Sequence, residues 1–121
     1  MTMTKKYLGA GLLACALLAS GCASKPTLYY WGDYQPQVYE YLKGQGKSHA
    51  EQILVLEKII QQARAANKSV PPGFHAHLAM LQISEGKPEL ARQEFEAEKA
   101  LFPESAAFMD FMLAKMSGEK K

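Results

Sequence analysis

Residues 72–105 read PGFHAHLAMLQISEGKPELARQEFEAEKALFPES, and the parsing of this stretch decides the fold. Phe74, Leu78 and Leu81 recur at three- and four-residue steps, which predicts a helix from about Phe74 to Ser84. Gly86 breaks that pattern. Pro88 suits the first position of a second helix, which carries Leu90, Ala91, Phe95 and Leu101 before Pro103 stops it. The stretch is therefore expected to form a pair of helices joined by a tight turn.

The flanking sequence is helical as well. Val38 to Lys43 is a short helix candidate ended by Gly44 and Gly46. Ser48 and Glu51 have capping-box spacing at the start of a longer helix, along which Ile53, Leu56, Ile59, Ile60 and Ala63 form an apolar stripe, widened by Leu54 and Val55. Asn67-Lys68-Ser69 and Pro71-Pro72-Gly73 interrupt it. A final helix is expected after a Ser105 cap, with Phe108, Phe111, Met112 and Met116 on its apolar face. Strand-like alternation occurs only briefly, at Leu28 to Trp31.

Residues 72–105 resemble one tetratricopeptide unit of about 34 residues. Leu78 and Ala79 stand where the first helix needs a large residue beside a small one. Gly86 falls at the turn, Ala91 at the closest crossing, Phe95 in the wedge between helices, and Pro103 at the end. Two positions depart from the pattern: His75 replaces the usual tryptophan, and Glu98 stands where alanine is common. Tyr41, Ala50 and Leu54 can be laid on a second, divergent unit. The expected fold is all-α, a short tetratricopeptide-like helical-hairpin solenoid of about five helices following an N-terminal signal peptide. Two units and a cap leave apolar surface over, which should meet a second copy or another partner.

At the start of the chain, Lys5 and Lys6 precede an apolar run from Tyr7 to Ala19, the shape of a secretory signal and too short for a comfortable membrane span. Ala19-Ser20-Gly21-Cys22 resembles the lipobox of bacterial lipoproteins, with Ala19 in place of the usual leucine. A rival lies at Leu12-Leu13-Ala14-Cys15, but the apolar run continues beyond it. The remaining alternative is an unprocessed hydrophobic segment with two ordinary cysteines. The lipobox resemblance implies cleavage before Cys22 and acyl chains, of the palmitate type, on that residue. Because Ala23 is not aspartate, it also implies the outer membrane, facing the periplasm. The expected organisation is a signal peptide over 1–21, a lipidated tether over 22–27, an aromatic segment over 28–34, a helical domain over 35–117 and a polar tail over 118–121.

With Cys15 removed and Cys22 acylated, no thiol is left for a disulfide, a nucleophile or a metal. Of 14 basic residues, Lys5 and Lys6 lie in the signal, leaving 12 against 12 acidic ones, so charge gives no argument for nucleic acid. His49, His75 and His77 are the only histidines, and the last two point to different faces of one helix. Glu94 and Glu98 share a helix face, expected to be solvated. No nucleophile elbow or phosphate loop occurs. The chain is expected to be no enzyme, and to carry no metal and no cofactor besides the lipid on Cys22.

The aromatic stretch Leu28-Tyr29-Tyr30-Trp31-Gly32-Asp33-Tyr34 has two readings, which can coexist. It packs over the first helix pair, or it supplies anchors for a partner or a membrane surface. With the lipobox, the run Tyr39 to Lys43 and the ending Phe102-Pro103-Glu104, it resembles a family of small bacterial lipoproteins catalogued as a domain of unknown function, the 4810 family. Members occur beside a curli-secretion-type lipoprotein and a further lipoprotein, so the resemblance implies assembly work at the outer membrane. The leading expectation is a lipid-anchored adaptor that holds another envelope lipoprotein or a peptide segment. Tyr29, Tyr30, Trp31, Tyr34, Tyr41, His75 and Gln82 are the candidate contact residues. The runner-up is a structural accessory subunit of a curli-secretion-like complex, working through oligomeric packing and self-association.

Overall fold

The computed structural model describes residues 25–118 together with Thr4. The expected signal segment apart from Thr4, Cys22 with its expected lipid, and residues 119–121 of the expected tail lie outside the described residues. Over residues 25–118 five α-helices follow one another: α1 (Tyr34–Lys43), α2 (His49–Ala65), α3 (Phe74–Ser84), α4 (Pro88–Leu101) and α5 (Ala106–Met116), with a 3-10 turn (Pro103–Ser105) before α5. Among the described residues there is no strand, so the fold is all-α.

Local chemistry sets most helix ends. At the start of α2 the Glu51 N–H donates to Ser48 Oγ at 3.2 Å, and the Ser48 N–H donates to Glu51 Oε2 at 2.8 Å, which completes the capping box. The Ser48 N–H and the Ser48 hydroxyl, which donates to the same oxygen at 2.9 Å, hold the Glu51 carboxyl below the usual carboxylate range. Both α2 and α3 close with paired reverse bonds. Asn67 and Lys68 donate to the Arg64 and Ala63 carbonyls, and Gly86 and Lys87 to those of Ile83 and Gln82. Gly86 has φ 69, a left-handed conformation that glycine reaches at no steric cost.

Two expected boundaries move. α1 begins at Tyr34, four residues before Val38, because Pro36 falls in the first turn, where no intrahelical N–H bond is needed. Ser105 does not cap α5 with its side chain. Its backbone is already helical, and its hydroxyl donates back to the Phe102 carbonyl at 2.7 Å, tightening the 3-10 turn.

Each helix packs on the next. The core has two clusters, and α3 serves both. Tyr34, Ile53, Leu56, Ile59, Ala63 and Phe74 gather with Leu78 and Leu81 on one side of α3; Ala79 faces Ala91, Phe95, Met109 and Leu113 on the other. A helix covered on two sides must be apolar on two sides, and the FHAHLAMLQIS sequence of α3 meets that demand.

Two expected apolar faces are corrected. Leu54 is 66 % exposed, because the α2 stripe through Ile53, Leu56, Ile59 and Ala63 already fills the interface and position 54 turns away from it. On α5 the buried residues are Met109 and Leu113, while Phe108 and Phe111 are 59 % and 51 % exposed. The helix is apolar around most of its circumference, and only the side toward α4 is covered. Leu90 and Leu101 also lie outside the core.

Ala91 and Ala79 have no exposed surface, so a longer side chain at the α3–α4 crossing has nowhere to go. Ala91→Leu is expected to cost about 1–3 kcal/mol by overpacking, read as a lower urea midpoint at an unchanged slope.

Candidate functional site

Helix α3 begins without a side-chain cap of its own, since Gly73 precedes it. Its first N–H groups are satisfied from α4. Glu98 Oε1 accepts from the Gly73 N–H at 2.5 Å, and Oε2 accepts from the His75 and Ala76 N–H groups at 3.1 and 3.4 Å. Glu98 is 2 % exposed. Its charge is offset by these donors and by the positive end of the α3 dipole. One turn earlier on α4, Glu94 Oε2 meets His75 Nδ1 at 2.5 Å. The face expected to be solvated is thus folded against the start of α3, and both departures from the repeat pattern belong to this one junction.

The junction holds α3 so that Ala76, His77 and Met80 line a groove. Tyr34, Val38, Tyr41 and Leu42 of α1 form one wall, Phe108 and Met112 of α5 the other, and Phe95 of α4 contributes at depth. The space is about 270 Å³, just under the roughly 300 Å³ at which small-molecule pockets begin, and is open along one side as a groove. Its lining is almost wholly apolar, and His77 is the exception. The imidazole lies 4.9 Å from the Tyr41 ring and 5.8 Å from the Tyr34 ring, and neither buried ring nitrogen has a hydrogen-bond partner. Burial holds the His77 pKa below its ordinary value, so the ring is neutral at pH 7. Tyr34 is pushed up to about 12, first by burial and then by the charge of Glu98, so its hydroxyl keeps its proton.

Of the seven residues singled out as candidate contacts, Tyr34 and Tyr41 reach this groove. His75 is held by Glu94, and Gln82 is buried, so neither presents itself there. Tyr29 meets Phe102 edge-on with ring centroids 5.9 Å apart, and the Tyr30 hydroxyl donates to Gln62 Oε1 at 3.4 Å. The Tyr30 N–H donates to the Ser69 carbonyl at 2.8 Å, and Lys68 Nζ to the Thr27 carbonyl at 3.0 Å. The aromatic segment therefore straps the α2–α3 connection, leaving Trp31 the exposed member among its aromatic rings. Val38, Leu42, His77, Met80, Phe108 and Met112 were not foreseen as groove residues, and only their placement across three helices brings them together.

Among the described residues no group of three His, Cys, Asp or Glu side chains is placed to hold a metal ion, and no helix is long and apolar enough to cross a membrane. Fold and site thus define an all-α protein of five consecutively packed helices with an apolar groove. Residues 28–112 match the family described as a domain of unknown function (DUF4810), and the chain belongs to that family. No curated protein and no solved structure shows a significant match.

Two outcomes are expected. Glu98→Ala strands three backbone donors and opens a cavity, and should lower stability by about 2–4 kcal/mol in urea unfolding, with Glu98→Gln intermediate. Because the folded His77 pKa lies below the unfolded value, the unfolded chain binds this proton first as pH falls. Stability from neutral His77 is therefore complete above about pH 6.5 and lost as pH drops toward the folded value. In melts between pH 7.5 and 5, His77→Phe should show a smaller fall in Tm than the wild type.

Proposed function

We propose that the protein is a lipid-anchored helical-repeat adaptor of the bacterial envelope that holds an apolar segment of a partner protein in the α1–α3–α5 groove. One observation carries this reading: a preformed apolar groove whose depth holds a polar ring with both nitrogens unpartnered. A buried polar atom without a partner is costly, and a bound segment that supplies a hydrogen-bonding group would relieve that cost.

The finer fold reading is a tetratricopeptide-like solenoid. Supporting it are the buried Ala79 and Ala91, Gly86 in the α3–α4 turn, and Pro103 two residues past the end of α4. The groove walls come from alternate helices α1, α3 and α5, as the inner helices of such a solenoid would supply them. Acylation of Cys22 would place the chain on the outer membrane facing the periplasm, and the reading assigns it no catalysis. Among the described residues the first tied into the fold by its backbone is Thr27, whose carbonyl accepts from Lys68 Nζ, so the tether would be short and the body would sit close to the lipid surface. The second reading, an accessory subunit that works by oligomeric packing, is favoured by the two exposed phenylalanines on α5.

A photo-crosslinking residue at Leu42, on the groove rim, should capture one envelope protein in Gram-negative cells; the same residue at Leu54, exposed on α2, should not. Equal capture from both positions would remove the groove as the binding site. Cys22→Ser should release the protein from the outer-membrane fraction, and an unacylated wild-type chain would end the tether reading.

A further inference from the structure

The last helix presents a stripe that the groove does not account for. Glu104, Phe108, Phe111 and Lys115 follow one another at steps of four, three and four residues, so they fall on one side of α5 and the turn before it. All four are exposed. The Phe108 and Phe111 rings stack with centroids 6.3 Å apart, and Lys115 Nζ lies 4.9 Å from the centre of the Phe111 ring. Among the described residues Glu104 and Lys115 join no ion pair. The neighbouring Asp110 is occupied by Lys99 at 2.6 Å.

The order acid, ring, ring, base reads as its own complement when reversed. We infer that a second copy of this chain covers the stripe, with the two α5 helices antiparallel about a twofold axis between Phe108 and Phe111. In that register Phe108 meets Phe111 of the second copy, and Glu104 meets its Lys115, twice over by symmetry. No parallel alignment does this, since it would set Lys115 against Lys115. Small Ala107 lies beside the stripe and permits close approach. The four phenylalanines would bury on the order of 400 Å². That area is below the roughly 1,000 Å² of a stable interface, so the dimer is expected to be weak and transient. Because Phe108 also lines the groove, pairing would set Phe111 of the second copy at the groove rim.

A zero-length carbodiimide cross-link distinguishes the copies. Within one chain Glu104 and Lys115 are about 16 Å apart along the helix, too far for such a link, so any Glu104–Lys115 bond must join two chains. The full chain in neutral detergent at micromolar concentration should give a dimer whose linked peptides contain this pair. Glu104→Lys and Lys115→Glu should each abolish it, and the double exchange should restore it. Phe111→Ser should weaken dimerisation about tenfold or more, with the Tm of the dilute monomer unchanged because the side chain lies outside the core. A chain that stays monomeric, a dimer without the Glu104–Lys115 link, or a dimer indifferent to both single reversals would overturn the proposal. Glu104 and Lys115 lie outside the groove lining, so their cross-link reads the α5 interface apart from the groove, and capture from Leu42 that persists in Glu104→Lys reads the groove alone.

Discussion

The carboxylate of Glu98 sits under the first turn of α3 and accepts from Gly73, His75 and Ala76, and the rest of the described fold depends on that placement. A buried carboxylate is costly unless its oxygens are satisfied, and helix N–H groups without a cap are costly unless they find an acceptor. Each demand answers the other. The exchange fixes the approach of α4 to the start of α3 more sharply than apolar contact does, because hydrogen bonds are directional. The His75–Glu94 contact one turn away adds a second fixed point along the same seam. The α3–α4 hairpin is thereby a rigid centre, with α1 and α2 packed on one side and α5 on the other.

That rigid centre gives the groove its character. Once α3 is pinned on both core sides, its remaining strip, Ala76, His77 and Met80, is turned toward the space between α1 and α5. The apolar walls attract an apolar guest without direction, and His77 supplies what direction there is. Its nitrogens lie too deep for water to satisfy well and too far from any polar side chain to bond within the fold. A site of this kind favours a partner whose shape brings a hydrogen-bonding group to the imidazole, and specificity of that sort rests on the cost of leaving the group unpaired.

The two ends of the helix array are treated differently. At the α1–α2 end, Tyr29, Tyr30 and Tyr34 cover apolar surface and tie the connection before α3, so aromatic residues that resembled interface anchors serve largely as a strap. At the α5 end nothing in the described chain plays that part, and Phe108 and Phe111 stay in solvent. Covered on one side only among the described residues, the last helix has an exposed apolar face of the type that marks interaction surfaces.

The sequence by itself determined most helix ends, though not the start of α1 or the cap of α5, because the signals are local. Ser48 with Glu51, Gly86, Pro88 and Pro103 act through their immediate neighbours, and the α2 stripe from Ile53 to Ala63 could be read from its period. The lipobox resemblance at Ala19-Ser20-Gly21-Cys22 is a local signal too, and lies outside the described residues. What tertiary structure decided involves partners distant along the chain. Glu98 looks like a surface charge until α3 is seen to lack a cap 25 residues earlier, and a polar departure within an alanine-like position was the one available signal. The rotation of α5, which buries Met109 and Leu113 in place of Phe108 and Phe111, could not be read from periodicity, since a helix apolar nearly all round offers no preferred face. Only the helices that pack against it chose which side to cover.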